Sequence, residues 1–287
     1  MCMVWKLIKN GIVFSEKCKK DNISAFAAQS AFFMLLSLIP FLMVFSSLLQ
    51  YTMVSEDTLM HLVNSLMPEY IAPFLVSIIN EVYHKSVGIV SVTAVVAIWS
   101  AARGVQYIAS GLNQINGIKE TRNWVLRRFW AAVYTIIFLF AIVAILVLLV
   151  FGNTIQEILI GYVPFLAKAT AAFFRFRGLI LFVFMCGLFT ILYRTLPNNS
   201  EIKDRKLTFR NQFPGAVLCA VIWYMFSFGV SIYVDYFNGF SMYGSLTTIV
   251  LVMLWLYFGM YIMLLCGEIN VLFGEKVIEF HKKHIKK

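Results

Sequence analysis

Six stretches of about twenty or more mostly apolar residues divide this chain, and their length is what most limits its fold. A helix crossing a bilayer needs ~20 such residues. In hydrocarbon the backbone must satisfy its own hydrogen bonds, which an α-helix does within one segment. The stretches predict spans at about 23–49, 87–110, 129–151, 179–196, 214–235 and 246–273. The remaining 13% of charged residues could not cover a water-facing globule of 287 residues. The expected fold class is therefore all-α, a single polytopic membrane domain over 1–287.

Three further segments are apolar only on one side. In residues 4–14, Val4, Leu7, Ile8 and Ile12 recur at helical spacing with Lys6 and Lys9 between them. That pattern suits an amphipathic helix lying on the membrane surface. Residues 56–84 and 153–174 show the same periodicity broken by Pro68, Pro73, Gly161 and Pro164. They are expected as amphipathic interfacial helices on the outer face. Pro40 falls inside the first span and removes one ladder hydrogen bond there. Pro214 stands where helix starts favour proline.

Orientation follows from the cations. Lys6, Lys9, Lys17, Lys19 and Lys20 precede the first span; Lys119, Arg122, Arg127 and Arg128 follow the second. Lys203, Arg205, Lys206 and Arg210 follow the fourth, and Lys276, Lys282, Lys283, Lys286 and Lys287 close the chain. These eighteen lie on one side, against Lys85, Lys168, Arg175 and Arg177 on the other. The bias predicts the first side as cytoplasmic, with both termini inside. It also explains the net charge of +10 without a nucleic-acid partner.

Polar residues inside the spans carry the functional reading, because hydrocarbon penalises them. In the second span Ser100, Arg103, Gln106, Tyr107, Ser110 and Asn113 recur at three and four residues, as one polar stripe on the cytoplasmic half. In the fifth span Trp223, Ser227, Ser231 and Asp235 recur at four, on the outer half. Gln29 lies on a polar face of the first span, Arg194 near the end of the fourth, and Glu268 near the inner end of the sixth. If the two stripes face a common interior they form a polar route across the bilayer. Arg103 is then its fixed positive charge and Glu268 its candidate partner. Plainer roles stand beside these. Arg103 lies roughly 12 Å from the end of its span at 1.5 Å per residue, within snorkelling reach of the interface. Asp235 suits an interface, Glu268 suits a plain helix-end charge, and single serines suit interhelical hydrogen bonds.

Enzymatic chemistry has little to stand on. The five cysteines show no CxxC spacing, and no HExxH, GxSxG or Walker sequence occurs. His281 and His284 sit in a lysine-flanked tail and read as solvated. No catalytic residue, metal or cofactor is expected.

Several segments resemble, in order, those of the YihY/BrkB membrane proteins of bacteria. They are Ala25–Pro40 (AFAAQSAFFMLLSLIP), Ile98–Asn116 (IWSAARGVQYIASGLNQIN), Tyr193–Asn198 (YRTLPN), Pro214–Trp223 (PGAVLCAVIW), Tyr243–Leu246 (YGSL), Leu254–Tyr257 (LWLY) and Gly267–Asn270 (GEIN). The Gly267–Glu268 pair departs from the family, which more often has a small residue between Gly and Glu. The resemblance implies a multi-pass protein of the bacterial cytoplasmic (inner) membrane. Some members have carried a ribonuclease label, for which this sequence supplies no chemistry. Transport or export of an anionic or lipid-like substrate is the function most often implied. A non-catalytic scaffold or assembly factor is the alternative, and a membrane-bound enzyme the third. The lipid bilayer is the expected partner, and the resemblance leaves a homo-oligomer open.

Overall fold

In the computed structural model the described residues are 2–50, 87–150, 176–198, 207–236 and 245–285, with isolated helical positions between 60 and 80. They form seven helices: α1 (Cys2–Lys20), α2 (Ile23–Gln50), α3 (Val87–Ile115), α4 (Trp124–Val150), α5 (Arg177–Thr195), α6 (Phe209–Tyr236) and α7 (Ser245–Ile285). The expected interfacial helix at 153–174, and nearly all of that at 56–84, lies outside the described residues.

Windows in α5, α6 and α7 (Gly178–Thr195, Phe209–Val230 and Ile249–Leu272) are long and apolar enough to cross a bilayer. Their outward residues fit that environment. Val221, Tyr224, Met225, Phe228 and Ile232 of α6 recur at helical spacing and are all exposed. A contiguous exposed apolar face of this kind marks a surface that meets lipid or another apolar partner rather than water.

Turn chemistry sets two of the helix junctions. Asn22 has φ +52°, the left-handed conformation in which asparagine commonly ends a helix. Its N–H donates to the Lys19 carbonyl, closing α1, while its own carbonyl accepts from Ala25 and Phe26, opening α2. Gly117, with φ +65°, ends α3 in the same way, and Ile118 N–H reaches back to the Asn113 carbonyl at 2.8 Å. A side chain would be strained at that φ.

Contacts between helix ends show that α2 to α7 alternate in direction. The start of α2, the end of α3, the starts of α4 and α6, the end of α5 and the C-terminal half of α7 meet at one end, which is rich in Lys and Arg. Tyr193 of α5 is buried there and donates its hydroxyl to the Met263 carbonyl of α7 at 2.7 Å. On α2, Ser30 donates to the Gly104 carbonyl of α3 at 3.0 Å, inside a seam of small residues that includes Ala27, Ala31, Ala101 and Ala102. Small residues at a helix seam let backbones approach closely, as packing within lipid favours.

Four helices outrun their sequence-based limits. α3 reaches Ile115 rather than 110, and α4 starts at Trp124, ahead of Arg127 and Arg128. α6 starts at Phe209, so Pro214 stands inside the helix rather than at its head. α7 runs 41 residues to Ile285 where a basic tail was expected. Hydropathy marks where the apolar run stops, but a helix stops only where a cap, glycine or proline ends it.

Candidate functional site

The basic end holds a buried polar network. Its centre is Asn113 of α3. The side-chain amide of Asn113 donates to Glu120 Oε2 at 2.9 Å, and its oxygen accepts the Asn198 backbone N–H at 2.8 Å. Glu120 takes three further bonds from Arg122, Nε to Oε1 at 2.7 Å, Nη2 to Oε2 at 2.8 Å and the backbone N–H to Oε1 at 3.2 Å. Asn198 Nδ2 donates to Thr121 Oγ1 at 2.9 Å. The loop between α3 and α4 is thereby tied to the end of α5.

These bonds have an electrostatic consequence. The hydrogen bond from Arg122, aided by its positive charge, holds the Glu120 carboxyl below its ordinary value of 4.5, against the opposing effect of burial. A depressed folded-state value contributes stability that is present above the unfolded value and lost as pH falls through the folded one. The unfolding midpoint of the purified protein should therefore fall as pH drops below about 4.5, the ordinary value of that carboxyl. In the Glu120→Gln variant that acid-side slope should shrink.

Gln106 and Arg128 make a second buried contact. Arg128 Nη1 donates to Gln106 Oε1 at 2.8 Å, Nη2 donates to the Trp99 carbonyl at 2.8 Å, and the guanidinium lies 4.0 Å above the Trp99 ring. Arg103 instead lies exposed over Phe33 of α2, 5.3 Å from the ring centroid, and Tyr107 stacks on the same ring at 5.5 Å. At about 100° per residue, Ser100, Arg103 and Tyr107 sit to one side of α3 and Gln106 and Asn113 to the other. The predicted single stripe is thus a broad arc whose two edges meet different neighbours. Ser110 bonds back to the Gln106 carbonyl of its own helix at 2.9 Å.

Glu268 does not pair with Arg103. It is fully buried on α7, and its partner is Lys17 of α1, with Nζ 2.6 Å from Oε1. The buried Asp21 carboxyl lies alongside. Both acids, after burial itself, push the nearby Cys18 thiol upward. An arginine in a span looked like the natural counter-charge, but the amphipathic helix supplies a nearer lysine.

The other predicted positions are dispersed. Gln29 is exposed while its neighbour Ser30 makes the interhelical bond. Ser100 is half-buried. Arg194 lies 3.8 Å above the Phe209 ring. Ser227 accepts from Trp255 Nε1 at 3.3 Å. Trp223 packs edge-on to Trp255 at 5.7 Å. Ser231 and Asp235 belong to α6, but their side chains are not among those described.

Helices α3 and α6 do face one chamber, together with α5 and α7. Its volume is about 30 Å³ and its walls are apolar, with Val105, Ile108, Phe189, Trp223 and Met263 among them. A continuous polar route is not formed among the described residues. A larger groove, about 470 Å³, opens outward between α5 and α6. Gly187, Thr190 and Ile191 line one side, and Phe209, Arg210 and Phe213 the other. Among the described residues no cluster of His, Cys, Asp or Glu could hold a metal ion.

Sequence reasoning counted Lys17, Arg122, Arg127 and Arg128 only as orienting charges and passed over Glu120 and Asn198. The Arg127–Arg128 doublet directly before an apolar run was the one visible signal.

Comparisons with known proteins point to a membrane protein. The family described as Virulence factor BrkB matches residues 14–286. YfkH of Bacillus subtilis, named a ribonuclease-like protein, is 30% identical over 260 residues, covering 87% of this chain and 90% of its own. A UPF0761 membrane protein of Alteromonas mediterranea is 26% identical over 275 residues, covering 92% and 87%. Another from Pseudoalteromonas atlantica is 25% identical over 277 residues, covering 90% and 83%. No solved structure matches the chain.

Proposed function

The chain belongs to the Virulence factor BrkB family of membrane proteins, and from that premise we propose that it moves an anionic, lipid-like molecule across the bacterial cytoplasmic membrane. In this reading α2 to α7 are six spans, with the basic end and both termini in the cytoplasm. The alternation of helix directions supports six crossings, and the eighteen-to-four distribution of cations supports the orientation.

The observation that carries the substrate class is the groove between α5 and α6. Its walls are apolar, its rim holds Arg210, and Arg194 stacks on Phe209 beside it. It opens toward the surrounding lipid, so a molecule with an acyl tail and an anionic head could enter sideways from the inner leaflet. Its size falls within the ~300–1,000 Å³ of ligand pockets generally. Passage further inward requires the small apolar chamber behind Trp223 to open, a step expected of alternating access.

A fluorescent phosphatidylglycerol in proteoliposomes tests this. Dithionite should bleach the inner-leaflet label faster with the protein than in empty vesicles. An R194Q/R210Q double variant should be about tenfold or more slower, since each cation near an anionic headgroup contributes ~1 kcal/mol or more. Equal rates with and without the wild-type protein would sink the transport reading.

A non-catalytic scaffold or assembly factor is the second reading. The small, apolar chamber favours it, because a fixed docking platform needs no interior path. We read the chain as non-enzymatic, and the ribonuclease-like name belongs to YfkH. RNA cleavage by the purified protein, abolished by a point substitution, would overturn that.

A further inference from the structure

Arg103, Arg127 and Arg128 have no carboxylate partner among the described residues, while Arg122 is already paired with Glu120. Arg103 and Arg127 are both close enough to Arg128 to act on its charge. Such an excess of positive charge near the membrane interior calls for an anion.

A small cavity lies beside this cluster. Gln106, Arg122, Arg127, Trp130, Tyr134 and Leu196 are among its walls. It is about 10 Å³, room for the centre of one oxygen-sized group. Gln106 is 8% exposed, and its orientation is forced. Arg128 can only donate, so the amide oxygen must face it, at 2.8 Å. The Gln106 Nε2 group is left buried without an acceptor, and so is Arg127 Nε. Two unmade donors and unpaired guanidinium charge therefore belong to the wall of one cavity.

We propose that this cavity is an oxyanion subsite that takes one oxygen of a phosphate group, with the rest of the phosphate in the cavity mouth. Gln106 Nε2 and Arg127 Nε donate to that oxygen, and Arg122, Arg127 and Arg128 supply the charge. A water molecule could satisfy the two donors but would leave the charge uncompensated. The phosphate is either that of an anionic phospholipid or free in the cytoplasm. The proposal rests on the transport reading only for what becomes of the ligand; binding itself is measured without transport.

The full chain, purified in a nonionic detergent, is titrated with inorganic phosphate in one arm. In the other it is titrated with phosphatidylglycerol in phosphatidylcholine mixed micelles, with bound ligand counted by native mass spectrometry. Saturable binding is expected in at least one arm, and which arm it is identifies the source. Gln106→Glu keeps the acceptor toward Arg128 but turns a second acceptor, with charge, into the cavity. It should weaken binding about tenfold or more, the effect of losing a charge-assisted hydrogen bond. Arg127→Gln should weaken it about fivefold, and Arg127→Lys, which keeps the charge, by less. Lys20→Gln, an exposed cation on α1 outside this cavity, should leave it unchanged. No saturable binding in either arm would overturn the subsite, and so would Gln106→Glu and Arg127→Gln variants that fold normally and bind as the wild type does. Phosphate binding that persists while proteoliposome transport is absent would sink the transport reading and leave the subsite standing.

Discussion

Replacing Lys17 with methionine is expected to destabilise the folded protein by about 3–5 kcal/mol, the usual result of removing one partner of a buried ion pair. The asymmetry of the pair is the reason. The Glu268 side chain is 0% exposed and that of Lys17 is 28% exposed, so the lysine reaches in from the surface to a carboxylate with no other outlet. Glu268 Oε2 has no hydrogen-bond partner among the described residues, and Asp21 adds a second buried acid nearby. Without Lys17 two acids share an apolar seam with no counter-charge. The double variant K17M/E268Q removes the buried charge along with its partner. It should recover most of the loss, because an uncompensated ion costs more than a missing pair. Denaturant titration in detergent would measure the three stabilities. The contact also fastens α1 to α7, so trypsin should cut after Lys19 or Lys20 faster in K17M than in the wild type. If K17M stayed within about 0.5 kcal/mol of the wild type, the range of ordinary surface substitutions, the pair would not be holding α1 in solution.

What could be seen in the sequence, and what could not, follows from how far each force reaches along the chain. The apolar lengths were legible because a bilayer imposes a minimum on every crossing segment. The starts of α2 and α3 lie at the predicted Ile23 and Val87. The end of α7 missed by a dozen residues, because the chain continues beyond Phe273 with no glycine–proline stop strong enough to end a helix. On α3, periodicity gave angular positions but not neighbours. Asn113 and Arg103 looked equivalent, yet one is held by Glu120 and Asn198 and the other lies against Phe33. Lys17 and Glu268 are about 250 positions apart, and nothing local to either names the other. Arg127 and Arg128 were counted as orienting cations, but counting charges cannot show that one of them is stacked on Trp99 and bonded to Gln106.

Asn270 is expected to be nearly as sensitive, and for a reason that begins with Pro214. Proline has no N–H, so the first turns of α6 lack one ladder donor just where the helix passes α7. Asn270 fills that region from outside. Its Oδ1 accepts the Gly215 N–H at 2.8 Å, and its Nδ2 donates to the Gln212 carbonyl and side-chain oxygen, each at 3.1 Å. The fit depends on Gly215, since a Cβ there would fall on the Asn270 amide. Asn270→Ala leaves a buried donor and two buried acceptors unmatched, and at ~1–3 kcal/mol for each group left unsatisfied it should cost about 2–4 kcal/mol once partial relaxation is allowed. Asn270→Asp keeps the acceptor for Gly215 but sets a carboxylate against the oxygens of Gln212, so it should not rescue the loss. The informative background is Pro214→Ala, which removes the ring that crowds the preceding turn and lets the Gly215 N–H turn to its own ladder partner, the Asn211 carbonyl. There the cost of Asn270→Ala should fall by about 1 kcal/mol, the net worth of one hydrogen bond, as a double-mutant cycle would read it. Strict additivity of the two substitutions would mean that Asn270 supports α6 independently of the gap that the proline leaves.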